Sequence, residues 1–205
     1  MNLSAFRAAS IAVATILAMV LVAWQFGFLS PNERGSGIRI DAKIGGAFDL
    51  FDHNGNPRNN SDFSGRFMLI YFGYSYCPDV CPTALQIMSN ALELLGKQAE
   101  SVQPIFITVD PKRDTPGHLK DYLKNFYPGM IALTGTEVLI KEAAKKYRVY
   151  FAKASQDKTK SNSDDYLVDH SSIIFLMGRD GKYITHFNHQ TNAEAMAKII
   201  TKQLR

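Results

Sequence analysis

Two side chains stand out for their chemistry. Cys77 and Cys81 are the only cysteines in the chain, and they lie four residues apart in Tyr74-Ser75-Tyr76-Cys77-Pro78-Asp79-Val80-Cys81-Pro82. On a helix, that spacing is about one turn and puts both sulfurs on one face. It also places the Cα atoms about 6 Å apart, a separation that a disulfide accepts. The same geometry lets two thiolates grip one metal ion. Thiolate is both nucleophile and ligand, and exposed amides at a helix N-terminus favour it.

The choice of metal follows from what the chain lacks. A closed structural zinc site wants four ligands, typically two pairs of residues. With two cysteines, a third ligand must be a histidine or a carboxylate. Sulfur ligands favour Cu(I), and imidazole also suits copper. Five histidines are available. His170, in Leu167-Val168-Asp169-His170-Ser171-Ser172, directly precedes an apolar run that reads as a core strand. In a thioredoxin-like fold, the residue entering that strand faces the cysteine loop. His53 falls in a turn, His118 on an exposed helix face, and His186 and His189 at a strand end; these four read as ordinary surface residues. Met19, Met68, Met88, Met177 and Met196 read as span or core fillers. Asp79, between the cysteines, is either a solvated acid at the helix start or a group that tunes the thiols or guides a partner.

The elements that must position these groups can be traced in order. Phe67-Met68-Leu69-Ile70-Tyr71-Phe72 is an apolar run that reads as a buried strand ending just before the cysteines. Leu85, Met88, Leu92 and Leu95 follow with helical spacing to about Gly96. Ile44 to Phe51 predicts an earlier strand, with turn chemistry in Asp52-His53-Asn54-Gly55-Asn56-Pro57. Residues 104–109 and 130–133 predict two more strands. Asp114-Thr115-Pro116 predicts a helix start, a capping residue followed closely by proline near the first turn, and Thr136 caps the next helix. Val149-Tyr150-Phe151 is extended, and 153–165 is a polar loop. A hairpin over 172–187, turning at Gly178-Arg179-Asp180-Gly181, and a helix capped by Asn192 complete the chain. This alternation predicts an α/β class, a thioredoxin-like fold with an N-terminal β-hairpin addition.

The N-terminus carries a different signal. No charge falls between Arg7 and Glu33. Ile11 to Leu29 would span about 28 Å as a helix, close to the thickness of bilayer hydrocarbon. Trp24, Phe26 and Phe28 cluster near one end, like an interfacial belt. The run exceeds the apolar region of a signal peptide, and Phe28-Leu29-Ser30-Pro31 is a poor cleavage site. The expected organisation is a cytoplasmic N-terminus at 1–9, a single N-terminal transmembrane helix at 10–30, a linker at 31–39 and a thioredoxin-like copper-binding domain at 40–205. Arg7 and the terminal amine keep the N-terminus inside, so the domain faces the periplasm of a bacterial inner membrane. The net charge of +4 is spread among mixed acids and bases, and no nucleic-acid motif is present.

Three motifs in sequence resemble the SCO/SenC family: Tyr71 to Thr83, then Val109-Asp110-Pro111-Lys112-Arg113-Asp114-Thr115-Pro116, then Val168 to Ser172. The resemblance covers residues 40 to 204. It implies a copper-binding assembly factor for cytochrome c oxidase, with Cys77, Cys81 and His170 holding one copper ion, Cu(I) or Cu(II), and Asp79 matching the family acid linked to thiol redox behaviour. The implied partners are the oxidase subunit that carries the copper site and an upstream periplasmic copper donor. One departure is visible: the family often has an acid-proline pair where this chain has Gly178-Arg179.

Two function classes use the same residues. A metallochaperone would bind copper and pass it to the binuclear copper centre of the oxidase. A thiol-disulfide oxidoreductase would keep the oxidase cysteines reduced. Redox thioredoxins carry C-x-x-C and a facing cis-proline, whereas this chain has C-x-x-x-C and Asp169-His170-Ser171. A copper or redox sensor would also use this site. A peroxidase is disfavoured, because Pro78 stands only three residues before Cys81.

Overall fold

The computed structural model describes residues 43–154, 166–188 and 190–204, together with 16–19, 21, 22 and 25. The chain divides into two compact units, Met1–Ala42 and Lys43–Arg205; the fold below is that of the second. Among the described residues no helix is long and apolar enough to cross a membrane. The expected span at 10–30 falls largely outside the described residues, as do the linker at 31–39, His189 and most of the loop at 153–165.

A seven-stranded mixed sheet forms the frame, in the order β2-β1-β5-β4-β3-β8-β9. In its interior lies β3 (Phe67–Gly73), all seven residues of which are buried. Successive side chains point to opposite faces of a sheet, so a strand buried throughout is covered on both faces. β3 runs parallel to β4 (Val102–Thr108), which runs parallel to β5 (Ile131–Thr134). On the other side β3 pairs antiparallel with β8 (Ile174–Met177), and β8 with β9 (Tyr183–Phe187). This is the thioredoxin-type arrangement, and the expected N-terminal hairpin is present. Its strands, β1 (Asp49–Asp52) and β2 (Pro57–Asn59), add to the edge at β5.

β1 is shorter than the 44–51 run predicted. Gly45 has φ +92, which takes the backbone out of the extended conformation near the start of that run. A Cβ there would run into Met177 Cε. The hairpin turn is organised by Asp52, whose carboxylate accepts N–H bonds from Asn54 at 2.9 Å and Asn56 at 3.0 Å, and from Arg58 Nε at 3.0 Å.

Four α-helices lie among the described residues of this unit: α1 (Val80–Leu95), α2 (Pro116–Tyr122), α3 (Glu137–Tyr147) and α4 (Ala193–Gln203). α1 turns Cys81, Leu85, Met88, Leu92 and Leu95 inward and packs against α4, which buries Met196 and Ile200. Thr136 and Asn192 cap their helices through the N–H groups of Leu139 and Ala195. At α2 the cap is Thr115, which accepts the His118 N–H. The sequence reading also missed a strand. β6 (Phe151–Lys153) and β7 (Val168–His170) form a separate antiparallel pair, with Phe151 opposite His170. Three-residue strands are too short to show a period.

Candidate metal centre

The site assembles where β3 ends and α1 begins. α1 starts at Val80, with Asp79 at its N-cap. Cys77 therefore precedes the helix and only Cys81 lies in its first turn, which corrects the expectation that one helical face carries both. The residue before a proline avoids the helical conformation, and Cys77 precedes Pro78. The sulfurs converge because the loop curls back: the Cys77 N–H donates to the Tyr74 carbonyl at 3.2 Å, and the Cys81 N–H to Cys77 Sγ at 3.4 Å. Both cysteines are free thiols, Cys81 buried and Cys77 half-buried. Pro82 falls in the first turn, where a missing N–H has no helical partner to lose.

Gly73 makes room for the sulfur. A Cβ at this position would stand 2.8 Å from Cys81 Sγ and 2.8 Å from Tyr71 Cε1, so the close approach of strand and thiol requires glycine.

His170 ends β7. Its Nε2 lies 3.2 Å from Cys81 Sγ, and its Nδ1 lies 3.3 Å from the Ser171 carbonyl. A carbonyl only accepts, so that contact places the proton on Nδ1 and leaves the Nε2 lone pair facing the sulfurs, as metal-binding imidazoles require. Tyr71 and Tyr74 set their rings edge-on to the imidazole, with centroids at 6.1 and 5.8 Å. The buried Tyr71 hydroxyl donates to Cys81 Sγ at 3.7 Å and meets Ser172 Oγ at 3.2 Å. The ligand atoms of Cys77, Cys81 and His170 all lie within 4.8 Å of one another. Three-coordinate ions with metal–sulfur bonds of about 2.3 Å separate their ligands by about 4 Å, so the cluster admits one ion with little movement.

The two thiols are electrostatically unequal. A hydrogen bond from the Cys81 thiol, with the Asp79 and Cys81 backbone N–H groups, pushes the Cys77 pKa down to about 4 against the opposing effect of burial. The same contact with Cys77, together with burial, raises that of Cys81. The resting pair is thus a thiolate at Cys77 and a thiol at Cys81. Asp79 is exposed and makes no side-chain cap hydrogen bond; it is not part of the cluster.

The structure adds residues that sequence reasoning did not assign. Asp114 is fully buried, and its carboxylate accepts the Ser75 N–H at 3.1 Å, the Ser75 hydroxyl and the Thr108 hydroxyl at 2.5 Å. It ties the loop carrying Cys77 to the end of β4. Burial, with the neighbouring Asp110 charge, raises its pKa against these hydrogen bonds. His118 is half-buried, not on an exposed face. Its Nε2 meets Ser75 Oγ at 2.8 Å and its ring stacks on Tyr76 at 4.9 Å. Asp114 lies inside the second motif quoted above; its helix-cap spacing concealed its role. His53 accepts the Ala132 N–H at 3.2 Å and His186 meets the Tyr183 hydroxyl at 2.6 Å; neither joins the cluster. Met68, Met88, Met177 and Met196 are core residues, as predicted.

Fold and site together define a thioredoxin-type α/β domain in which a soft-metal ligand set replaces the usual redox dipeptide surroundings. The SCO1/SenC family model matches residues 37–205. A SCO2-like protein of Rickettsia prowazekii is 42% identical over 161 residues, 78% of this chain and 77% of that protein. Protein sco1 of Schizosaccharomyces pombe is 45% identical over 159 residues, 77% of this chain and 60% of that protein. Among solved structures, Bradyrhizobium japonicum ScoI with copper bound superposes with a TM-score of 0.70 at 41% identity, covering 78% of this chain and 98% of that one. Yeast Sco1 with copper bound gives 0.71 at 39% identity, covering 79% and 88%. The chain belongs to the SCO1/SenC family.

Proposed function

We propose that this protein binds one copper ion through Cys77, Cys81 and His170 and delivers it to the copper-site subunit of cytochrome c oxidase, after loading from an upstream periplasmic donor. The convergence of two sulfurs and one imidazole nitrogen within 4.8 Å carries the reading. Relatives solved with copper bound support it. The Cys77 thiolate is ready to capture a cation, while Cys81 must release its proton on binding. Cys77 and His170 are half-buried and Cys81 is buried, so ligand exchange with a partner begins at the two accessible donors. Tyr76, Val80 and Leu167, next to the site in sequence, expose large apolar side chains, which suits a protein partner.

X-ray absorption of the copper-loaded chain tests the assignment. Two sulfur neighbours and one nitrogen are expected; four sulfurs from a dimer, or none, would sink it. Cys77→Ser, Cys81→Ser and His170→Ala should each weaken binding greatly.

The unequal thiols favour a second reading, a disulfide reductase. The Cys77 thiolate would attack a partner disulfide, forming a mixed disulfide and releasing one partner thiolate. Cys81, giving up its proton, would then attack Cys77, close the Cys77–Cys81 disulfide and release the second. Rapid turnover of a model disulfide by the metal-free protein, with His170 dispensable, would favour this reading over copper delivery.

The apolar run upstream supports placement in a bacterial inner membrane, single-pass, with the domain in the periplasm. An alkaline phosphatase fusion after residue 205 should be active; an inactive fusion with good expression would reject that topology.

A further inference from the structure

Arg113 and Asp114 are neighbours on the turn between β4 and α2, yet they brace the candidate metal centre differently. Asp114 holds the cysteine half through Ser75. The guanidinium of Arg113, with its side chain only 11% exposed, pairs with Asp110 Oδ2 at 2.6 Å. Its Cζ lies 3.8 Å from the ring centroid of Tyr166 and 4.7 Å from that of Tyr76. The Tyr166 hydroxyl donates to the other oxygen of the same carboxylate at 2.8 Å. Tyr76 immediately precedes Cys77. Tyr166 lies two residues before Val168, whose N–H donates to the Tyr74 hydroxyl at 3.2 Å and opens the strand that ends at His170. The guanidinium therefore spans the loop that presents the sulfurs and the segment that presents the imidazole.

This matters because the ligands come from segments far apart in sequence; His170 follows Cys81 by 89 residues. The two cysteines stand four residues apart where the loop enters α1 and find each other locally. The nitrogen reaches them only through contacts between segments. A planar guanidinium can stack flat against two rings and still bond a carboxylate, whereas a lysine ammonium is a compact point charge without a flat face to stack.

We propose that Arg113 is a positioning residue that sets the distance between His170 and the cysteine pair, and so decides whether a bound copper ion has its third ligand. The proposal rests on the copper reading above. The test is a Cu(I) competition titration of the full chain against a chromophoric chelator, in wild type, Arg113→Met, Arg113→Lys, His170→Ala and the Arg113→Met/His170→Ala pair. Nitrogen hyperfine coupling in the Cu(II) EPR spectrum is recorded alongside. Arg113→Met should weaken Cu(I) binding by about 10- to 100-fold, the usual effect of disturbing a group that orients a ligand. It should also diminish the nitrogen coupling. In the His170→Ala background the same substitution should change affinity by less than about twofold. Arg113→Lys, which keeps the charge, should resemble Arg113→Met. Equal losses in both backgrounds would show a general folding role and overturn the proposal, as would a full nitrogen coupling in Arg113→Met. Wild type lacking a nitrogen ligand would overturn the copper reading itself, whereas wild type with that ligand and an unchanged Arg113→Met affinity would overturn only the role of Arg113.

Discussion

At the scale of single residues, the asymmetry of the thiols governs reactivity. With its pKa near 4, Cys77 is thiolate throughout the neutral range and loses that form only as the pH falls through about 4. Cys81, pushed up by its hydrogen bond to Cys77 and by burial, stays protonated. Iodoacetamide should therefore modify Cys77 at pH 6 and spare Cys81, with the rate falling only below about pH 5; peptide mapping by mass spectrometry would reveal a reversed preference. Gly73 is as tightly constrained. Gly73→Ala forces a methyl group against Cys81 Sγ and Tyr71 and should cost about 1–3 kcal/mol, as overpacking does, while displacing a ligand. Urea unfolding would measure the first effect and copper titration the second. Both requirements were half legible in the sequence. Two lone cysteines announce soft-metal or redox chemistry, but which one ionises depends on amides and burial that no spacing reveals.

Among elements, two buried carboxylates do the positioning. Asp114 anchors the loop before α1 to β4 through Ser75 and Thr108. Asp114→Ala leaves those donors unsatisfied, at about 1–3 kcal/mol, and should weaken copper binding by about 10-fold. Hydrogen exchange at the Ser75 and Cys77 amides should speed up; unchanged exchange would refute the anchoring role. Asp52 does the same for the β1–β2 hairpin. Burial opposes its ionisation, but N–H bonds from Asn56 and Asn54 and the Arg58 and Asn56 side chains hold its pKa below the usual value. A carboxyl depressed on folding stabilises the protein above its unfolded pKa of about 4, and that stability is lost as the pH falls through the folded value. Asp52→Asn should thus lower stability at pH 7 and flatten its decline below pH 4, read from thermal melts across pH. The apolar pattern placed the long elements well: β3 and β4 read as continuous apolar runs and are buried throughout, while α1 buries Leu85, Met88, Leu92 and Leu95 and α4 buries Met196 and Ile200 at helical spacing. It failed at β7 and at the start of α1, where three residues or one proline decide the conformation.

At the scale of the whole second unit, a mixed sheet is buried on both faces along its interior strands, with the candidate metal centre at the C-terminal end of β3. A ligand that binds only the folded chain stabilises it by mass action, by about 2.7 kcal/mol at 100 times its dissociation constant. Copper should raise the melting temperature of wild type under reducing conditions and leave Cys77→Ser nearly unchanged; an equal rise in both would place the ion elsewhere. The sequence by itself determined the class of fold, the two sulfurs of the candidate metal site and, through three motifs, the family. Apolar periods and the supply of cysteines are local properties that survive without a fold. The tertiary structure alone decided that Cys77 stands outside the helix, that its thiol is the ionised one, and that Asp114, His118 and Arg113 surround the site. Each of these depends on side chains brought together from separate segments, and burial and contact across such distances exist only once the chain has packed.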